Sequence, residues 1–162
     1  MIVLLFQIFA LSPQKIFMTD QKKTKHYIED GIFVGGDRKI DQVALHDIRF
    51  AMSDQYERLV LDFDANHHGD KSWIKKSPYF QVSVEPDKNQ MTVTLFGNPS
   101  LSLNFSQILT RFQKSKYIES VQFFPVLDDD RWTFVIALKQ PAVTEVFELV
   151  SPARVVIDLA EK

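Results

Sequence analysis

Residues 79–95 read YFQVSVEPDKNQMTVTL, and their period of two decides the fold class. Phe80, Val82 and Val84 fall on one face of an extended chain, and Gln81, Ser83 and Glu85 on the other. Pro86-Asp87-Lys88-Asn89 supplies turn chemistry, after which Met91, Val93 and Leu95 resume the alternation against Thr92 and Thr94. The stretch is a β-hairpin with one buried face.

A second hairpin follows, with strands over 117–127 and 131–139 joined by Asp128-Asp129-Asp130. Trp132, Phe134, Ile136 and Leu138 make one apolar face, while Arg131, Thr133 and Lys139 make the other polar. Pro125, which cannot donate to a ladder, marks an edge or a bulge. Only one segment has helical spacing. Phe105, Ile108, Leu109 and Phe112 recur at i, i+3, i+4 and i+7, and Arg111, Lys114 and Lys116 load the end where the helix dipole favours cations. The expected fold is mainly β, an antiparallel two-sheet sandwich with one amphipathic helix at about 105–116.

The chain has 162 residues, of which 45% are hydrophobic and 25% charged, a mixture that argues against disorder, fibre and polytopic membrane protein. Nineteen basic residues face 21 acidic ones, so no global charge favours nucleic acid. There are no cysteines, which removes disulfides, thiolate metal sites and cysteine nucleophiles together.

The N-terminal run MIVLLFQIFALS (residues 1–12) is too short to span a bilayer but matches the apolar part of a secretory signal. Against a clean signal, no Lys or Arg precedes Lys15, and Pro13 follows the small-x-small site Ala10-Leu11-Ser12. Export and a buried N-terminal strand or helix are the two readings. Residues 13–43 look like a polar linker, with Lys15, Lys22, Lys23 and Lys25 near its start, a Gly35-Gly36-Asp37 turn and one short strand at 32–34. The domain proper is expected over 44–162.

Two strands nearly repeat. Residues 58–63 (RLVLDF) and 154–159 (RVVIDL) share Arg–apolar–Val–apolar–Asp–apolar, which places Arg58, Val60 and Asp62 on one face and Leu59, Leu61 and Phe63 on the other. The repeat suggests a quasi-symmetric pair of sheets.

Around these strands the sequence resembles the amidase N-terminal (AMIN) domain family. The ending VFELVSPARVVIDLA (146–160) is similar to that family's closing strands: a strand, a proline-containing turn, then Arg-x-Val-x-Asp-Leu. LHDIRFAMSDQYERLVLDF (45–63) is similar to its opening hairpin, with Ile48-Arg49, a polar turn, then Arg-x-Val-x-Asp. The 67–76 loop and the 105–116 helix depart from the family pattern. The resemblance implies a periplasmic, non-catalytic β-sandwich, of the kind found beside cell-wall amidases and in secretin-type channels, that docks its host on peptidoglycan. Carried over by position, Arg49, Arg58, Asp62, Arg154 and Asp158 become the candidate wall contacts. Guanidinium forks and carboxylates can hydrogen-bond sugar hydroxyls, amides and peptide carboxylates. Alternatively, each Arg pairs with an Asp on a neighbouring strand, a contact worth about 0.2–1 kcal/mol.

Catalytic patterns are weak. Asp62, Asp64 and Asn66 open a calcium-like loop, but His67 stands where its turn glycine belongs and Trp73 where its bidentate carboxylate belongs. His67, His68 and Asp70 carry metal-ligating chemistry, but adjacent histidines on an extended chain diverge, so a shared ion needs a bent loop or a remote ligand such as His46. Asp128-Asp129-Asp130 suits a hairpin tip as well as an ion site. Gly35-Gly36 lacks the strand–GxGxxG–helix context, and neither a GxSxG elbow nor an HExxH helix occurs. The expectation is a non-enzymatic binding module without cofactor. Two alternatives remain: an envelope protein making protein–protein contacts through an edge strand or an aromatic patch (Trp73, Tyr79, Phe96, Phe124), and a metal-dependent enzyme around His67 and His68.

Overall fold

The computed structural model describes residues 14–65, 74–124 and 130–162. Their strands are β1 (Ile16–Met18), β2 (Gly31–Gly35), β3 (Val43–Met52), β4 (Glu57–Ala65), β5 (Phe80–Glu85), β6 (Gln90–Phe96), β7 (Ser100–Leu101), β8 (Ile118–Phe123), β9 (Arg131–Leu138), β10 (Val143–Leu149) and β11 (Arg154–Ala160). One helix, α1 (Phe105–Phe112), precedes β8. A six-stranded sheet runs β1-β2-β5-β6-β9-β8 and a five-stranded sheet runs β10-β11-β4-β3-β7. The protein is thus mainly β, in two sheets with one helix, and is not a closed barrel. Each sheet is mixed: β1 joins β2, and β7 joins β3, in parallel at an edge, while the other pairs are antiparallel.

The expected hairpins are present. β5 and β6 pair from Phe80↔Leu95 to Glu85↔Gln90, and β6 pairs with β9 so that Val93 lies opposite Phe134. Alternate residues along β5, β6 and β9 are buried, the pattern that a half-solvated sheet requires. β8 is an edge strand with a bulge between Ile118 and Ser120; Pro125, Asp128 and Asp129 lie outside the described residues. The core between the sheets joins Phe80, Val82, Met91, Val93, Trp132, Phe134 and Ile136 to Leu45, Ile48, Leu59, Leu61, Phe63, Val155 and Ile157. Trp132 is fully buried, stacks on Phe123 with centroids 6.0 Å apart, and donates its indole N–H to the Phe124 carbonyl at 2.5 Å. Its polar atom is therefore satisfied where water is excluded.

The helix closes one side of the sandwich by burying Ile108 and Phe112. Asn104 caps it, its side chain accepting from the Gln107 amide at 3.1 Å. It ends four residues earlier than its spacing suggests. The reason is Glu57 of β4, whose buried carboxylate accepts from Ser115 Oγ, from the Lys116 amide at 2.6 Å and from the Tyr117 amide at 3.4 Å. Those amides serve a neighbouring strand rather than another helical turn.

The structure corrects two further expectations. The repeated strands do not belong to separate sheets: β4 and β11 pair with each other, antiparallel, with Val60 opposite Val156. Nor are residues 13–43 merely a linker. β2 carries Phe33 into the core and forms a full ladder with β5. Residues 20–28, a strap, run along the outer edge of β10, with bridges Asp20↔Phe147 and Ile28↔Thr144. β2 contains the short strand expected at 32–34, extended by a glycine at each end.

Candidate functional site

All five candidate residues lie on the outer face of the five-stranded sheet, and antiparallel registry explains how. Pairing two copies of Arg-x-Val-x-Asp head to tail about the central valines sets Arg58 opposite Asp158 and Arg154 opposite Asp62. Extending the ladder to β10 and β3 produces three rows. They are Glu145-Asp158-Arg58-Ala51, Phe147-Val156-Val60-Arg49 and Leu149-Arg154-Asp62-Asp47. Phe147, Val156 and Val60 of the middle row, with Leu149, form a small apolar cluster separate from the main core.

The local two-fold symmetry of this motif is broken by its neighbours. At one end Asp158 is fully buried, and Arg58 grips it with both fork nitrogens, Nε to Oδ1 at 2.6 Å and Nη2 to Oδ2 at 2.8 Å. Lys23 of the strap donates to the same carboxylate and lies 3.2 Å from Glu145 Oε2. Glu145 also receives the Thr24 and Lys25 amides at 2.7 and 2.6 Å. The Tyr56 ring sits between the two cations, 4.1 Å from Lys23 Nζ and 4.7 Å from Arg58 Cζ. Burial would lower the Lys23 ammonium, but its bonds to Asp158, Tyr27 and Glu145 outweigh that and hold it above the ordinary lysine value. The Asp158 hydrogen bonds likewise raise Arg58 against a smaller desolvation effect.

At the other end the partners differ. Arg49 takes Asp62, donating through Nε and also through Nη2 to Oδ1 at 2.8 Å, which raises the Arg49 guanidinium. Arg154 is left 3.9 Å from Asp62, and its buried Nε has no hydrogen-bond partner. A bulge between Leu45 and Asp47 turns Asp47 outward, where it accepts from Arg111 Nη1 of α1 at 2.7 Å. Arg111 also reaches the Ile48 carbonyl at 3.0 Å.

Four guanidiniums therefore converge on an open groove of about 490 Å³, those of Arg49, Arg58, Arg111 and Arg154, over a floor that includes Val60, Val156 and Leu149. The groove has donors in excess and few free acceptors, because Asp158 is buried and both Asp62 and Asp47 are engaged. Asp158 is thus a supporting residue rather than a contact residue, and Arg58 is largely committed to it. Sequence reading missed Arg111, taken there as a cation for the helix terminus, and Lys23, taken as linker. The odd-numbered spacing of Glu145, Phe147 and Leu149 could have placed Glu145 on the same face; Lys23 left no such signal.

The other candidates separate. His46 is exposed, with Nδ1 3.7 Å from Asp64 Oδ2, while His67, His68, Asp70 and Trp73 lie outside the described residues. Among the described residues no three His, Asp or Glu side chains gather as a metal site. Tyr79 and Phe96 pack at 5.1 Å, with the Arg38 guanidinium 4.3 Å over Tyr79. Phe124 is exposed and makes no ring contact with them. Among the described residues no helix is long and apolar enough to cross a membrane.

Compared with protein-family models and with curated proteins, the sequence finds no match.

Proposed function

We propose that this protein is a non-catalytic module of the cell envelope, resembling AMIN domains, that docks on peptidoglycan in the periplasm through the outer face of its five-stranded sheet. The observation that carries this reading is the convergence of Arg49, Arg58, Arg111 and Arg154 on one open groove with an apolar floor. Peptidoglycan presents amides, hydroxyls and peptide carboxylates, all acceptors for guanidinium N–H groups. The face is broad and shallow, as suits a polymer that passes across it. Arg58, anchored on Asp158, and Arg49, anchored on Asp62, hold their positions without ligand.

Co-sedimentation of the whole chain with insoluble cell-wall sacculi at moderate salt tests the reading. The whole chain is needed because β2 and the strap are parts of the fold. Enrichment over a control protein that weakens in Arg154→Ala and Arg49→Ala, but not in Lys22→Ala, is the expected result. Absence of enrichment, or equal loss in all three variants, overturns it.

A second reading, contact with another envelope protein, draws on β1. That edge strand has no partner on its open side among the described residues, and its Ile16 and Met18 are exposed. Met18→Lys abolishes a partner's binding under this reading while leaving sacculus binding intact.

A further inference from the structure

Resting on that wall-binding reading, we infer that the groove selects the acidic peptide portion of its ligand, gripping carboxylates, rather than the glycan. The groove's hydrogen-bonding inventory carries this. A sugar presents hydroxyls that both donate and accept, so a glycan site needs free acceptors beside its donors. Here most carboxylate oxygens are engaged: Asp158 by Arg58 and Lys23, both oxygens of Asp62 by Arg49, and Oδ1 of Asp47 by Arg111. What remains is donor capacity, most plainly Arg154, whose Nε is buried without a hydrogen-bond partner and whose nearest carboxylate oxygen is 3.9 Å away. That Nε is closed to solvent, so the donors Arg154 offers a ligand carboxylate are the terminal Nη groups of a side chain that is 30% exposed.

The shape agrees. Past Phe50 and Arg111 the groove continues into a second trough of about 480 Å³, which adds Met52, Thr110 and Lys114. The two share Phe50 and Arg111, so cations recur along one path: Arg154 and Arg49 at one end, Arg111 in the middle, Lys114 at the other. Apolar side chains alternate with them, namely Val156, Leu149, Phe50 and Met52. An extended peptide with carboxylates and short aliphatic side chains matches that sequence of contacts. Among the described residues, Phe50 is the aromatic side chain lining both troughs, and its ring packs against Phe112 at 85°.

The test compares two probes, with the whole chain as binder. Sacculi are used untreated or with their peptide carboxylates converted to amides by carbodiimide and ammonia, which leaves the glycan strands intact. In parallel, poly-L-glutamate is titrated against poly-L-glutamine as a neutral control. Amidation should weaken sacculus binding about 10-fold or more, the scale of one lost charge-assisted contact. Poly-L-glutamate should bind where poly-L-glutamine does not, with about 10-fold loss in Arg154→Gln and in Arg111→Gln and no loss in Lys22→Gln. Circular dichroism melting of each variant shows that it folds. Equal binding to native and amidated sacculi overturns the carboxylate inference while the wall-binding reading stands. Arginine-dependent binding of poly-L-glutamate without sacculus binding does the reverse. Binding of neither probe overturns both.

Discussion

Asp62 and Asp158 occupy the same place in two nearly identical strands, yet the structure assigns their substitution different costs. Asp158→Asn removes a fully buried negative charge from between Arg58 and Lys23, whose side chains are 26% and 24% exposed. Removing one partner of a buried pair typically costs about 3–5 kcal/mol because the remaining charge is left uncompensated. Partial exposure lets both cations recover some hydration, so the low end applies, about 3 kcal/mol. For a domain of this size that lowers the melting temperature by about 6–12 °C. Asp62→Asn removes a carboxylate whose main partner, Arg49, is half exposed, and costs about 1 kcal/mol or less. Urea unfolding followed by circular dichroism, with thermal melts as a second probe, measures both. The slope of free energy against urea should stay unchanged, so that the midpoint shift reports stability. Equal costs for the two substitutions, or a cost below 1 kcal/mol for Asp158→Asn, would refute the inference that neighbouring strands break the motif's symmetry.

Four further outcomes are expected. Lys23→Met should release the strap, raising hydrogen exchange at the Ile28 amide, which donates to the Thr144 carbonyl at 2.8 Å, by about 10-fold or more, with unchanged exchange in β5 and β6. Since Lys23 is raised in the folded state, its contribution is fully present below the unfolded value of 10.5 and is lost as pH climbs above it; the stability difference between wild type and Lys23→Met should hold from pH 7 to 10 and shrink only at higher pH. Glu57→Ala strands Ser115 Oγ and the Lys116 amide together, which should cost about 2–4 kcal/mol by urea unfolding. Gly36→Ala places a methyl group against the Pro78 carbonyl at a φ of +77°, and should lower stability by at least 1–3 kcal/mol, measured by the shift in thermal midpoint.

The strand content was legible because alternation in 80–85, 90–96 and 131–138 coincides with alternating burial, and a sheet with one wet face requires that coincidence. α1 was legible for the same reason at a different period, although its end was not. Glu57 stops it from 48 residues upstream of Phe105, and no local pattern reports a distant carboxylate. The candidate face was legible in part. Alternation places Arg58, Val60 and Asp62 together whatever the strand's partner, but how many acceptors stay free depends on which residues lie opposite.

By itself the sequence determined the period of the longer alternating strands, hence which of their side chains share a face, because backbone pleating is local. Only the tertiary structure decided that β4 and β11 are neighbours, that Lys23 closes over one end of the pair, and that Arg111 reaches round from α1 to the other. Those decisions separate a buried, doubly held Asp158 from a contested Asp62, and leave Arg154, of the arginines described on this face, 3.9 Å from its nearest carboxylate. Registry and burial belong to contacts between segments about 100 residues apart, and a linear pattern of residue types does not encode which segments meet.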